Sequence, residues 1–152
     1  VNGRARILVV DDEPDIVEAL RSSLEGSLPV EVEGSFSALE ALQAMRRRPA
    51  DLVIADYRMP GMDGLHLLRR VQELRPEAAR ILMTAYADIG LVVEAVNLAK
   101  AARFLRKPLD GARVVALVRE VLDEAAQERA LRGGWPEAGG AEGLGPGPGG
   151  PP

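Results

Sequence analysis

The stretch Arg6-Ile-Leu-Val-Val-Asp-Asp-Glu-Pro14 changes character halfway: a β-branched apolar run gives way to three acidic residues and a proline. An apolar run of this length bounded by turn residues is strand-sized. Pro14 suits the first turn of a helix, where its missing N–H has no intrahelical partner to lose. Beyond it Ile16, Val17, Leu20 and Leu24 recur at spacings of three and four, the period of one helical face. The segment therefore reads as strand, acidic turn, helix.

The same order of events repeats along the chain. Strand-sized runs stand at Arg6 to Val10, Val30 to Glu33, Leu52 to Ala55, Arg80 to Thr84 and Ala102 to Leu105. Between them Leu65, Leu68, Val71 and Leu74 keep a helical period, and Ser37 with Glu40 forms a capping box that opens a helix from Ala38 to Arg47. Asp110 suits the N-cap of a last helix carrying Val114, Leu117, Val118, Val121 and Leu122. Asp123-Glu-Ala-Ala-Gln-Glu-Arg-Ala-Leu-Arg132 is rich in strong helix formers and only Gly133-Gly134 stops it, so this helix should run to about Arg132. Five alternations predict an α/β fold, a doubly wound, five-stranded parallel sheet with helices on both faces.

With 152 residues the chain closes one core, and the prior is a single domain. The 16 glycines and 11 prolines are unevenly spread: residues 133–152 hold nine of the glycines and five of the prolines and almost no apolar side chains, so this segment cannot form a core. The expected organisation is a domain over 1–125, an extension of the last helix over 126–132 and a Gly/Pro-rich disordered tail or linker over 133–152. A formal charge of −4 argues against a direct nucleic-acid surface, which needs a basic face. The absence of cysteine excludes disulfides and thiolate metal sites. No apolar run reaches the roughly 18 residues of a membrane span and no signal segment is evident, so a cytoplasmic protein is expected.

In doubly wound folds ligands sit beyond the carboxyl ends of the strands. Here strand one ends in Asp11-Asp12-Glu13, strand three in Asp56 and strand four in Thr84, while strand five runs into Lys107-Pro108. In the order 2-1-3-4-5 strands one and three are neighbours, and Asp11, Asp12 and Asp56 converge. Three close carboxylates repel one another unless a cation intervenes, and hard oxygen ligands select Mg²⁺. Lys107 would add positive charge. Each residue also has an ordinary structural reading. Asp12 ahead of Pro14 suits a helix cap, Asp56 suits the start of the Met59-Pro-Gly-Met-Asp-Gly64 turn, Thr84 is a plausible strand-end hydroxyl and Lys107 a solvated charge. Taken together these readings need four coincidences at the ends of four strands. Only two of the 19 basic residues are lysine, which makes a lysine at this strand end less expected by chance.

At these positions the chain resembles the response-regulator receiver family of two-component signalling, the CheY-like superfamily with a flavodoxin-like (βα)5 fold. The resemblance lies in Ile7-Leu-Val-Val-Asp-Asp-Glu13, Asp51-Leu-Val-Ile-Ala-Asp-Tyr-Arg-Met-Pro-Gly-Met-Asp-Gly64, Ile81-Leu-Met-Thr-Ala-Tyr86 and Arg103-Phe-Leu-Arg-Lys-Pro-Leu109. It implies that Asp56 is the phosphoacceptor, assisted by Lys107 and Thr84. It implies Mg²⁺, with Mn²⁺ as an acceptable substitute, held by Asp11, Asp12, Asp56 and the Arg58 backbone carbonyl, Asp12 directly and Asp11 largely through water. Thr84, the Ala85 amide and Lys107 would bind the phosphoryl oxygens. Thr84 and Phe104 would form the switch, Pro108 would follow a cis peptide, and Arg58 and Tyr86 would tune the phosphorylated lifetime.

The implied partner is a sensor histidine kinase or a histidine phosphotransfer protein, with a homodimer allowed and neither nucleic acid nor membrane contacted directly. Output is expected from the receiver surface or from an effector region outside this chain. Two other functions fit less well. An aspartyl-phosphate hydrolase would resemble Asp-x-Asp, but position 58 is arginine. A module indifferent to phosphorylation would not need the acceptor, metal and lysine positions together. His66 reads as a surface or partly buried side chain rather than a phosphocarrier, and Arg46-Arg-Arg48 as a solvated helix end complementing the dipole.

Overall fold

A computed structural model describes residues 3–85, 90 and 103–132. The elements are β1 (Ala5–Val10), α1 (Pro14–Ser27), β2 (Val30–Ser35), α2 (Ala38–Arg47), β3 (Leu52–Asp56), α3 (Gly64–Leu74), β4 (Ala79–Ala85), β5 (Arg103–Lys107) and α4 (Gly111–Arg132). The five strands form one parallel sheet in the order β2-β1-β3-β4-β5. This is the flavodoxin-like arrangement that the alternation of strands and helices leads one to expect. Each strand extends a residue or two beyond its apolar run, because ladder bonds reach Ala5, Ser35, Asp56, Ala85 and Lys107. The Ala102 start expected for β5, Trp135 and the 133–152 tail lie outside the described residues.

Alternation along the central strands separates two cores. Leu8, Val10, Val53, Ala55 and Leu82 face α2 and α3, while Ile7, Val9, Leu52, Ile54, Ile81 and Met83 face α1 and α4. Strands covered on both sides read as continuous apolar runs, which is why β1 and β3 carry no polar residue before their carboxyl ends apart from Arg6.

The caps follow the sequence closely. Ser37 Oγ accepts from Glu40 N–H at 3.1 Å, and the return arm of the box goes from Phe36 N–H to Glu40 Oε1 at 2.6 Å, one residue earlier than the usual N-cap amide. Asp110 Oδ1 accepts from Ala112 N–H at the start of α4. Asp63, read only as part of a turn, is the N-cap of α3, accepting from His66 N–H at 2.9 Å. Its position directly before an apolar helical period was the available signal.

The free edge of β2 is blocked from α1. Arg21 Nη1 donates to Val32 O at 2.9 Å and Val32 N–H donates to Glu25 Oε2 at 2.9 Å, so this outward-facing peptide pair has no vacancy for another strand. Arg46, Arg47 and Arg48 are exposed at the end of α2, as expected of a solvated helix end, and the Nη2 atoms of Arg47 and Arg48 also pair with Glu33 and Glu31 of β2 at 3.0 Å. Long-range pairing of this kind depends on the fold and carries no local signature. Val1–Leu122 forms one compact unit and Asp123–Pro152 a second, whose described residues are the last turns of α4.

Candidate functional site

The carboxyl ends of β1, β3 and β5 deliver the charged residues. Pairing of Val10 with Ala55 sets the first residues beyond β1 beside Asp56, the last residue of β3. Asp11, Asp12 and Asp56 each offer a carboxylate oxygen, and these oxygens all lie within 4.8 Å of one another. Asp11 is fully buried, Asp56 is buried and Asp12 is exposed. Asp12 is not the cap of α1: the N-cap is Glu13, and no side chain bonds the first turn there.

Asp11 is already committed on both oxygens. Its Oδ1 accepts from Glu13 N–H at 2.9 Å, closing the acidic turn, and its Oδ2 lies 3.1 Å from Lys107 Nζ. The same ammonium lies 3.1 Å from Asp56 Oδ1. Lys107 thus bridges β1 and β3 from the end of β5, beside a cis Lys107–Pro108 peptide.

Burial, then the charge of Asp11, raises the Asp56 pKa above the ordinary carboxylate value, and the ion pair with Lys107 offsets only part of that. Burial alone would lower the Lys107 ammonium. Its bonds to Asp56 and Asp11 outweigh that effect and hold it above the usual lysine value. Three carboxylates against one ammonium leave a formal charge of 1 − 3 = −2 in the cluster. An all-oxygen donor set with that residual charge fits a hard divalent cation, which is the test that Mg²⁺ or Mn²⁺ has to meet.

Thr84 lies at the edge of this group. Asp56 pairs with Met83, so Thr84 is the next residue along β4; it is fully buried, and its hydroxyl donates to the Ala85 carbonyl at 3.3 Å. Ala85, at the end of β4, is exposed. Phe104 is 40% exposed on β5, so it sits outside the core rather than packed within it. Arg58, on the loop after Asp56, is exposed and lines a shallow hollow with Tyr57, Met59, Pro60 and Asp63. His66 is exposed and paired through Nδ1 with Asp63, a local helix-start contact. Tyr86 lies outside the described residues.

A family model for the response regulator receiver domain matches residues 7–119, which contain every one of these positions. The chain belongs to the response regulator receiver family. Among its relatives, the response regulator protein PilR of Pseudomonas aeruginosa is 35% identical over 119 residues, covering 78% of this chain and 26% of PilR. The transcriptional regulatory protein FixJ of Azorhizobium caulinodans is 38% identical over 120 residues, covering 79% of this chain and 56% of FixJ. A crystal structure of a CheY-like receiver domain protein from Methanospirillum hungatei superimposes with a TM-score of 0.77 at 31% identity, covering 83% of this chain and 99% of that one. The chain thus covers nearly all of that solved chain, whereas it spans only 26% of PilR and 56% of FixJ. Among the described residues no helix is long and apolar enough to cross a membrane.

Proposed function

We propose that this receiver accepts a phosphoryl group from a phosphohistidine onto Asp56, in a reaction that requires Mg²⁺. The supporting observation is Lys107 Nζ held 3.1 Å from both Asp11 and Asp56 within a three-carboxylate cluster. Asp11, Asp12, Asp56 and the Arg58 backbone carbonyl would hold Mg²⁺, or Mn²⁺ in its place. When bound, the ion supplies positive charge to the phosphoryl oxygens.

In the transfer an Asp56 carboxylate oxygen attacks phosphorus in line. The P–N bond to the donor imidazole breaks, and its electron pair stays on the histidine nitrogen, which takes up a proton. Little covalent work falls to the protein beyond alignment and charge stabilisation, so Lys107 contributes by pairing with the phosphoryl oxygens. The domain in this way assists its own phosphorylation and dephosphorylation. The Thr84 hydroxyl gives up its long 3.3 Å bond to the Ala85 carbonyl and, with the Ala85 amide, binds the new phosphoryl group. The space it vacates accepts Phe104, whose remaining exposed surface contributes on the order of 1 kcal/mol when buried.

The donor is a sensor histidine kinase or a histidine phosphotransfer protein, and the receiver over 1–125 passes its state to an effector or a second protein, as a monomer or a homodimer. The compartment is the cytoplasm, where such donors present their phosphohistidines. Arg58 and Tyr86 would border the approach of the hydrolytic water, and replacing them by Asn and Glu should shorten the phosphorylated lifetime about tenfold, or about 1.4 kcal/mol of barrier. An unchanged decay at saturating Mg²⁺ would remove them from that role.

The direct test is incubation with a small phosphodonor, with and without Mg²⁺, followed by intact mass. One phosphoryl adduct that needs Mg²⁺ and is lost in Asp56→Asn is expected. Turnover of donor without an adduct would point to a hydrolase, and no reaction to a module indifferent to phosphorylation.

A further inference from the structure

We propose that Gly64 is a positioning residue for the acceptor: the missing side chain lets the start of α3 rest on the Asp56 peptide and so fixes where the Asp56 carboxylate stands. This rests on the reading of Asp56 as the phosphoacceptor. Tyr57, the residue after Asp56, is held from two sides by backbone bonds. Tyr57 N–H donates to the Met83 carbonyl of β4 at 2.8 Å, and Gly64 N–H donates to the Tyr57 carbonyl at 2.9 Å. The loop 57–63 is therefore a closed clasp between β3 and α3.

Gly64 is buried, and a Cβ on it would stand 2.1 Å from the Asp56 carbonyl oxygen, 2.7 Å from the Asp56 carbonyl carbon and 3.1 Å from Leu82 Cδ1. The two nearest atoms are backbone and cannot swing aside. Gly64 does not have positive φ; among the described glycines only Gly3 and Gly61 do. Backbone freedom is therefore not what position 64 requires. Helix propensity alone would favour alanine there, so the requirement is space against Asp56.

An added methyl group forces a displacement on the order of 1 Å to restore ordinary contact. The body of α3 resists it, because Leu67, Leu68 and Val71 are fully buried and Asp63 caps the first turn. The displacement falls on the end of β3 and on the loop carrying the Arg58 carbonyl. Asp56 then loses its 3.1 Å placement against Lys107 and its register with Asp11 and Asp12. A misplacement of this size at a reacting group costs up to about a hundredfold in rate.

The test compares the full chain with Gly64→Ala and with Gly26→Ala. Gly26 is exposed on α1, and a methyl group there would meet nothing within 4 Å, so that variant controls for the loss of a glycine as such. Phosphorylation by a small phosphodonor at saturating Mg²⁺, Mg²⁺ affinity by calorimetry and thermal unfolding are measured for each. Gly64→Ala should unfold cooperatively, bind Mg²⁺ about tenfold more weakly and react at least about tenfold more slowly at an unchanged half-saturating donor concentration. Gly26→Ala should match the wild type in both.

A Gly64→Ala protein that melts lower yet keeps wild-type Mg²⁺ affinity and rate overturns the proposal, because position 64 is then only structural. A wild-type chain that takes up no phosphoryl group sinks the acceptor reading, and the positioning role with it; a wild type that reacts beside an unimpaired Gly64→Ala overturns only the latter. Should Gly64→Ala fail to fold, Asp63→Ala loosens the same first turn without adding an atom. It should lower Mg²⁺ affinity and rate several-fold, and wild-type values for both would equally overturn the proposal.

Discussion

Asp11 and Asp12 are adjacent in the chain and unequal in the structure. Both oxygens of Asp11 are occupied, by the Glu13 amide and by Lys107, while Asp12 is exposed beside the cluster. Asp12→Ala should therefore weaken Mg²⁺ binding sharply and Asp11→Ala less, as measured by calorimetry; equal losses would contradict the assignment of Asp12 as the direct ligand. Arg80 poses a different residue-scale question. It is 9% exposed on β4, its Nε and Nη1 find no hydrogen-bond partner among the described residues, and burial lowers its pKa. A buried cation with unmet donors costs stability that an apolar chain of similar length does not. Arg80→Met is expected to be neutral or to raise the unfolding free energy by about 1 kcal/mol in urea titrations. A loss of more than about 2 kcal/mol would show that the guanidinium is satisfied after all.

At the scale of elements, β2 and α2 are tied by charge. Glu33 pairs with Arg6 and Arg47, and Glu31 with Arg48 and, at 3.8 Å, Arg6. Burial would raise the Glu33 pKa, but the bonds to Arg6 and Arg47 outweigh it, and the carboxyl stays below its ordinary value of about 4.5. Because the folded state holds the charged form more tightly than the unfolded state does, this contribution is fully present above about pH 4.5 and is lost as the pH falls through the lower folded value. Glu33→Gln should cost about 1 kcal/mol near neutral pH, and the difference from the wild type should vanish in acid. A difference that persists unchanged below about pH 3 would assign the effect to packing instead.

How much of this was legible in the sequence depends on range. The strands, the Ser37 and Asp110 caps and the acidic strand ends rest on local patterns, and the apolar runs Ile7 to Val10 and Leu52 to Ala55 could hardly be anything but buried parallel strands. What escaped depends on contacts between distant elements. The pairing of Arg47 and Arg48 with β2 needs the register of sheet and helix, and the demand for glycine at 64 needs the approach of α3 to Asp56. Asp63 was missed although its cap signal was local, because the Met-Pro-Gly-Met run before it reads so strongly as a turn.

Across the whole molecule the two ends of the sheet are treated differently. Toward the amino ends, Arg6 N–H donates to Asp51 Oδ2 and the Arg6, Arg47 and Arg48 side chains are paired, so charge there is balanced and structural. At the carboxyl ends three carboxylates face one ammonium, and charge is left unbalanced where a cation and a phosphoryl group would enter. Stability concentrated at one end permits a charge-imbalanced site at the other. Beyond the receiver, α4 runs to Arg132, with Leu131 exposed. We propose that this extension mediates self-association or leads to an effector; deleting residues 126–152 should then change the dimer content in sedimentation or the partner binding of the phosphorylated form, and no change in either would make it mere linker.

On the proposed function Asp56 itself becomes the acyl phosphate. After reaction with a phosphodonor and Mg²⁺, borohydride reduces an aspartyl phosphate to homoserine, and peptide mass mapping then locates the altered residue. Homoserine is expected at position 56 and nowhere else, dependent on Mg²⁺ and strongly diminished in Lys107→Ala; reduction at another residue, or a phosphoryl adduct that survives Asp56→Asn in full, would show that Asp56 is not the acceptor.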